Sequence, residues 1–125
     1  MLTTKVFARF ARREHLDDQR QCEAIARAGR GLIDADLGGN LIKQRVARQG
    51  GGRSGGYRTV IAYRAAQRGV FLYGFGKSER DNIDQRELDD LKKLAKHLLG
   101  YSDSQIATAL AQSELREVMC DHEKE

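Results

Sequence analysis

Two hydrophobic periods run along the chain. From Leu41 to Ala47 the pattern alternates, with Leu41, Lys43, Arg45 and Ala47 on one face and Ile42, Gln44 and Val46 on the other, which predicts a strand. Tyr57 to Ala65 and Val70 to Phe75 are rich in β-branched and aromatic residues, and the short Gln67–Gly69 link between them predicts an antiparallel hairpin. The period then lengthens. Leu88, Leu91, Leu94, Ala95, Leu98 and Leu99 form the stripe of a buried helix. Asp84 can cap that helix, Glu87 sits at the reciprocal capping position, and Gly100 supplies a stop.

Weaker signals fill the ends. Residues 18–29 read as a helix, with Cys22, Ile25, Ala26 and Gly29 on one face and Asp17 or Asp18 as its cap. Val6, Phe7 and Phe10 suit a first strand leading into a helix. Residues 32–40, with Gly38, Gly39 and Asn40, read as a loop, and Gly50–Gly56 as a flexible connection. Residues 103–113 suit a short helix with Ile106, Ala109 and Leu110 inward, and the last residues, from Met119, a frayed end. Helices flanking a group of strands define an α+β chain. Its 125 residues fit one domain, 1–100, plus an acidic extension, 101–125.

With no Trp, the core must rest on aliphatic side chains and a few Phe and Tyr. No targeting segment or membrane span is visible, so the expected location is the cytoplasm. Cys22 and Cys120 are then expected to be a small buried thiol and a tail thiol rather than a disulfide.

Charge sharpens the picture. Between Asn40 and Ser78 stand eight basic residues, Lys43, Arg45, Arg48, Arg53, Arg58, Arg64, Arg68 and Lys77, with no Asp or Glu among them. The tail is the reverse, with Asp103, Glu114, Glu117, Asp121, Glu123 and Glu125 against Arg116 and Lys124. That separation points to a polyanion-binding centre. Lys43 and Arg45, two residues apart, share one sheet face, and a buried face would not hold two unpaired cations, so theirs is wet or meets an anion. The glycine run is not a P-loop, because Gly56 is followed by Tyr57 and Arg58 instead of Lys and Ser/Thr. Arg53 within it can grip a phosphate, although a plain linker explains the glycines equally well. His15, His97 and His122 lack metal-ligand spacing, so no metal site is expected. No Ser-His or Cys-His nucleophile pattern is present, and no cofactor is expected.

Three segments stand out: Ile42-Lys43-Gln44-Arg45-Val46-Ala47-Arg48, Ser54-Gly55-Gly56-Tyr57-Arg58-Thr59-Val60-Ile61-Ala62-Tyr63, and Tyr73-Gly74-Phe75-Gly76-Lys77-Ser78-Glu79-Arg80-Asp81-Asn82-Ile83. In combination they resemble the RelE/ParE superfamily, and within it the RelE/HigB branch. The likeness covers about residues 3–100. It implies a small curved antiparallel sheet with N-terminal helices and a C-terminal helix, helices on one face and mRNA on the other. It also implies a type II toxin–antitoxin toxin acting as a ribosome-dependent mRNA interferase, in which the nucleotide's own 2′-hydroxyl attacks the adjacent phosphate without a metal. The family's paired strand cations fall on Lys43 and Arg45 and its strand-opening arginine on Arg58. Ser78 replaces a frequent catalytic arginine, and Asp84 stands where a functional tyrosine is found. Lys77 or Arg80 is the candidate replacement cation.

Chemistry assigns roles within that set. Cations fixed around the phosphate stabilise the charge of the transition state, which suits Arg45, Arg48 and Arg58. Arginine is a poor base, whereas a lysine crowded by cations releases its proton more readily, so Lys43 is the candidate base and Lys77 the candidate acid or clamp. Tyr57, Tyr63 or Tyr73 could stack on a base, with sheet packing as the alternative. The expected partners are mRNA, the ribosome and a cognate antitoxin, usually of helix-turn-helix type, and no membrane. The competing functions are a ParE-like gyrase inhibitor and a non-catalytic RNA-binding module. Charge sign alone suggests that residues 101–125 fold back on the basic face as a brake.

Overall fold

In a computed structural model of the chain, residues 1–47, 56–65, 67–76 and 83–120 are described. A strand, β1 (Leu2–Thr4), leads directly into helix α1 (Lys5–Arg13). Thr4 is the junction, since its hydroxyl accepts from the Phe7 N–H at 3.1 Å and caps α1. The strand therefore ends before Val6, and Phe7 and Phe10 belong to the helix, one turn apart on its buried face. Helix α2 (Asp18–Gly29) begins at Asp17, whose carboxylate accepts from Arg20 N–H at 2.9 Å.

Next come β2 (Ala35–Gly38) and β3 (Leu41–Val46), joined by a turn in which Gly38, Gly39 and Asn40 take positive φ. The loop expected over 32–40 thus contains an edge strand. Its four residues, two of them alternately half-buried, are too short to announce themselves by pattern. Strands β4 (Tyr57–Arg64) and β5 (Arg68–Gly76) form the expected hairpin. Helix α3 (Gln85–Leu99) starts with the Asp84–Glu87 capping box and stops at Gly100, as the sequence predicts. Helix α4 (Asp103–Ala111) and a last strand, β6 (Leu115–Glu117), complete the fold.

The six strands form one sheet in the order β2-β3-β4-β5-β1-β6. The run β2 to β5 is antiparallel, as expected, but β1 lies parallel to β5, and β6 pairs antiparallel with β1. The sheet is therefore mixed. Helices α1 and α2 cover one face through a core of Phe7, Phe10, Ile25, Ile42, Ile61 and Phe71. The other face is not bare: α3 and α4 cover part of it through Ala95, Leu98, Leu99 and Ala109 over Leu41, Val60, Ala62, Val70 and Leu72. Burying each Val, Leu, Ile or Phe side chain is worth roughly 1.5–3 kcal/mol, so both layers hold the sheet in place.

Cys22 and Cys120 are joined in a disulfide, with Cα atoms 5.8 Å apart. This corrects the expectation of free thiols. The sequence separation is 98 residues, and the fold brings Cys22 of α2 against Cys120 just after β6. For residues 115–120 the same contact replaces the idea of a tail folded over the basic strands. Residues 115–117 lie at the sheet edge opposite β2, Val118 N–H donates to Met1 C=O at 2.9 Å, and Asp18 receives both Arg116 and the Met119 N–H. Residues 121–125 lie outside the described residues.

Candidate nucleic-acid interface

Alternation along β3 sends Ile42 and Val46 into the α1–α2 core and leaves Lys43 and Arg45 on the face that α3 shares. Register then sets their neighbours. Lys43 stands opposite Val60, which stands opposite Tyr73; Arg45 stands opposite Arg58, which stands opposite Phe75. Two cross-strand rows result, each with a cation at the β3 end and an aromatic at the β5 end.

The aromatic ends depend on an irregularity. Pairing of β4 with β5 jumps from Val60–Tyr73 to Ile61–Phe71, leaving Leu72 as an extra residue. Such a bulge re-aims the residues beyond it. Leu72 and Tyr73 both join the α3-side cluster, and the Tyr73 and Phe75 rings lie 5.9 Å apart. Gly74 turns instead toward α1, where an added Cβ would sit 2.5 Å from Phe10 and 3.0 Å from Phe7. Only glycine lets α1 approach this closely.

Like charges directly opposite one another destabilise a strand pair. Arg45 and Arg58 are such a pair, and among the described residues no carboxylate bridges to Lys43, Arg45 or Arg58. Arg45 is exposed and Lys43 and Arg58 are half-buried, yet the Arg58 Nη1 atom is buried with no hydrogen-bond partner. A buried donor without an acceptor is costly, and a buried charge more so. An anion seated between the two arginines would relieve both penalties.

Side chains missed by sequence reading fix this corner. Buried Gln44 donates to Ala24 C=O at 2.9 Å and Leu32 C=O at 3.1 Å, and accepts from Asp34 N–H at 2.9 Å. Arg27, 5% exposed on α2, donates to the carbonyl of Arg45, and Asp34 accepts from the Arg45 N–H. A glutamine inside an alternating strand and an arginine on an amphipathic helix carry no sequence signal of such roles.

The other site candidates separate. Tyr73 lies on the cationic face. Tyr57 does not: it is 4% exposed in the α1–α2 core, and its hydroxyl donates to Glu14 at 2.9 Å. Tyr63 packs on that same side. Two of the eight central cations are occupied at the end of α3, where Arg64 donates to Leu99 C=O at 3.3 Å and Arg68 to Leu98 and Tyr101 C=O at 3.0 and 2.8 Å. They satisfy carbonyls that the helix end leaves open. Asp84 is engaged as the α3 cap. Arg48, Arg53, Lys77, Ser78 and Arg80 lie outside the described residues. Among the described residues no group of three or more His, Cys, Asp or Glu converges as a metal site, and no helix is long and apolar enough to cross a membrane.

These features define a small basic α+β protein with a cationic sheet face that no carboxylate among the described residues neutralises. The family model described as the RelE toxin of the RelE / RelB toxin-antitoxin system matches residues 1–118, and the chain belongs to this family. It is a toxin of a toxin–antitoxin pair, and its family implies an antitoxin as partner. The match runs through α4 and β6, beyond the segments that carry the likeness in the sequence. Comparison with curated proteins and with solved structures found no match.

Proposed function

We propose that this toxin is an mRNA endonuclease acting on the translating ribosome in the cytoplasm. The substrate's 2′-hydroxyl attacks the adjacent phosphorus, the bond to the 5′-oxygen breaks, and that oxygen takes up a proton as it leaves. The nucleophile belongs to the RNA, so the protein's task is to stabilise charge and move protons.

The observation that carries the reading is the Arg45–Arg58 pair, opposed across two strands with a buried guanidinium nitrogen that has no partner. Guanidinium groups bind phosphate oxygens bidentately and stay charged, which suits the negative charge that builds during transesterification. Lys43, one strand step from Arg45 on the same face, is the assigned base. Lys77 keeps the role of acid or clamp, with Arg48, Arg53 and Arg80 as further phosphate contacts and Tyr73, at the β5 end of the Lys43 row, as the base-stacking candidate. Tyr57 leaves the set of base-stacking candidates because its ring is in the core. The antitoxin, of helix-turn-helix type, would silence the toxin by covering or distorting this face.

Induced expression in bacteria tests the proposal. Wild type should arrest growth and leave new 5′ ends inside translated frames, and Lys43→Ala/Arg58→Ala should do neither. Arrest without new ends would move the reading to a gyrase-directed toxin.

A further inference from the structure

Arg45 stands where β3 has lost its edge partner. Strand β2 begins its pairing at Ala35–Lys43, so the outward N–H and C=O of Arg45 meet side chains instead of a strand. Asp34 takes the N–H at 2.5 Å, Arg27 donates to the C=O, and the Arg27 and Asp34 groups are themselves 4.0 Å apart. This clamp fixes the backbone from which the Arg45 guanidinium projects.

Beside it, Leu32 is 56% and Ile33 37% exposed, although the segment that carries them is firmly held. Leu32 N–H donates to Arg27 C=O at 2.9 Å, and Gln44 grips both the Leu32 carbonyl and the Asp34 N–H. Two large apolar side chains are thus held out to water on an ordered support. With Arg27, Asp34 and Arg45 they line an open cavity of about 370 Å³. Arg27 and Asp34 are committed to the Arg45 backbone, which leaves one exposed cation and an apolar wall to meet a ligand. A flat apolar ring attached to a phosphate matches that pair, and apolar side chains pack on unstacked bases in this way.

We propose that this cavity is a nucleobase subsite for single-stranded RNA. It takes the base next to the phosphate held between Arg45 and Arg58, with Leu32 and Ile33 against the ring. The inference rests on the reading of the cationic face as an RNA site and extends it by one nucleotide. Position favours RNA over a protein segment: Arg45 belongs both to the Arg58–Arg45 row and to the cavity lining, so a phosphate chain held on the row brings its next base within reach of the cavity.

The test is fluorescence anisotropy with a labelled single-stranded RNA and with copies carrying one abasic residue at each position in turn. Wild type should lose about tenfold in affinity at one abasic position, the size of a single base contact. Leu32→Ser/Ile33→Ser should bind intact RNA about tenfold more weakly and lose less than twofold further at that position. Both side chains are exposed, so the variant should keep the wild-type melting temperature, and Ile33→Ala, a milder change, should give part of the loss. Unaltered RNA affinity in the variant, or an abasic penalty as large as wild type's, would overturn the subsite. Loss of antitoxin binding with RNA coupling unchanged would give the wall to the partner and also overturn it. RNA binding with the abasic signature but no cuts in cells would remove the nuclease reading and leave the subsite standing. No RNA binding would overturn the subsite, while cuts in cells would still carry the nuclease reading.

Discussion

A guanidinium nitrogen withdrawn from water without an acceptor costs on the order of 1–3 kcal/mol, and Arg58 Nη1 is held in that state. Its removal should therefore leave stability unchanged or raise it, while weakening RNA binding. Arg58→Ala should also flatten the plot of log affinity against log salt by about 0.7, the share of one contact to a single-stranded phosphate. A salt titration of the variant beside wild type checks both. Arg58→Lys should restore the slope but not the cleavage rate, because it keeps the charge and loses the fork. Gly74 makes the opposite kind of claim. Gly74→Ala should destabilise by about 1–3 kcal/mol, measured by urea unfolding, since the new methyl meets the Phe10 and Phe7 rings. Arg58 and Lys43 were legible from their place in alternating strands. Arg27, Asp34 and Gln44 were not, because each acts through backbone atoms that only the assembled edge brings within reach.

At the scale of elements, regular features were read and irregular ones were missed. The strand 41–46, the hairpin and the capped helix 85–99 all repeat a period long enough to register. Three-residue strands such as β1 and β6 do not, and their existence is settled by the neighbour they pair with. The bulge at Leu72 is invisible to strict alternation, which would have put Tyr73 under α1 and Gly74 among the cations. Two element-scale predictions follow from caps and staples. Asp84→Ala should cost about 1 kcal/mol of stability with cleavage positions unchanged in 5′-end mapping, because the carboxylate is spent on the helix start. Cys22→Ser/Cys120→Ser should lower unfolding free energy by about 2–4 kcal/mol, and reduced wild type should match it in a denaturant titration.

For the whole molecule, charge patterning pointed to the cationic face of β3 and β4, but the count of cations overstated it, since Arg64 and Arg68 serve the end of α3. Of the acidic tail, residues 115–120 are stitched to the far edge by the disulfide, by Arg116–Asp18 and by β6, while Asp103 stands 3.9 Å from Arg68.

The place of β1 in the sheet bears on how the molecule is made. Its partner on one side is β5, and the Thr4 hydroxyl reaches Leu72 C=O across 68 residues of sequence. Its partner on the other side is β6. The β3–β5 meander pairs strands that follow one another in sequence and can assemble early, whereas contacts of long sequence separation form slowly. In pulsed hydrogen exchange during refolding, amides of 57–64 and 68–76 should gain protection before those of 115–117. On the ribosome the same order holds in time: Leu2–Thr4 leave the tunnel ahead of every strand they will join, then wait through the synthesis of most of the sheet. Of the six strands, the one made first is among the last to find its neighbours, and the cationic meander takes shape while that gap is still open.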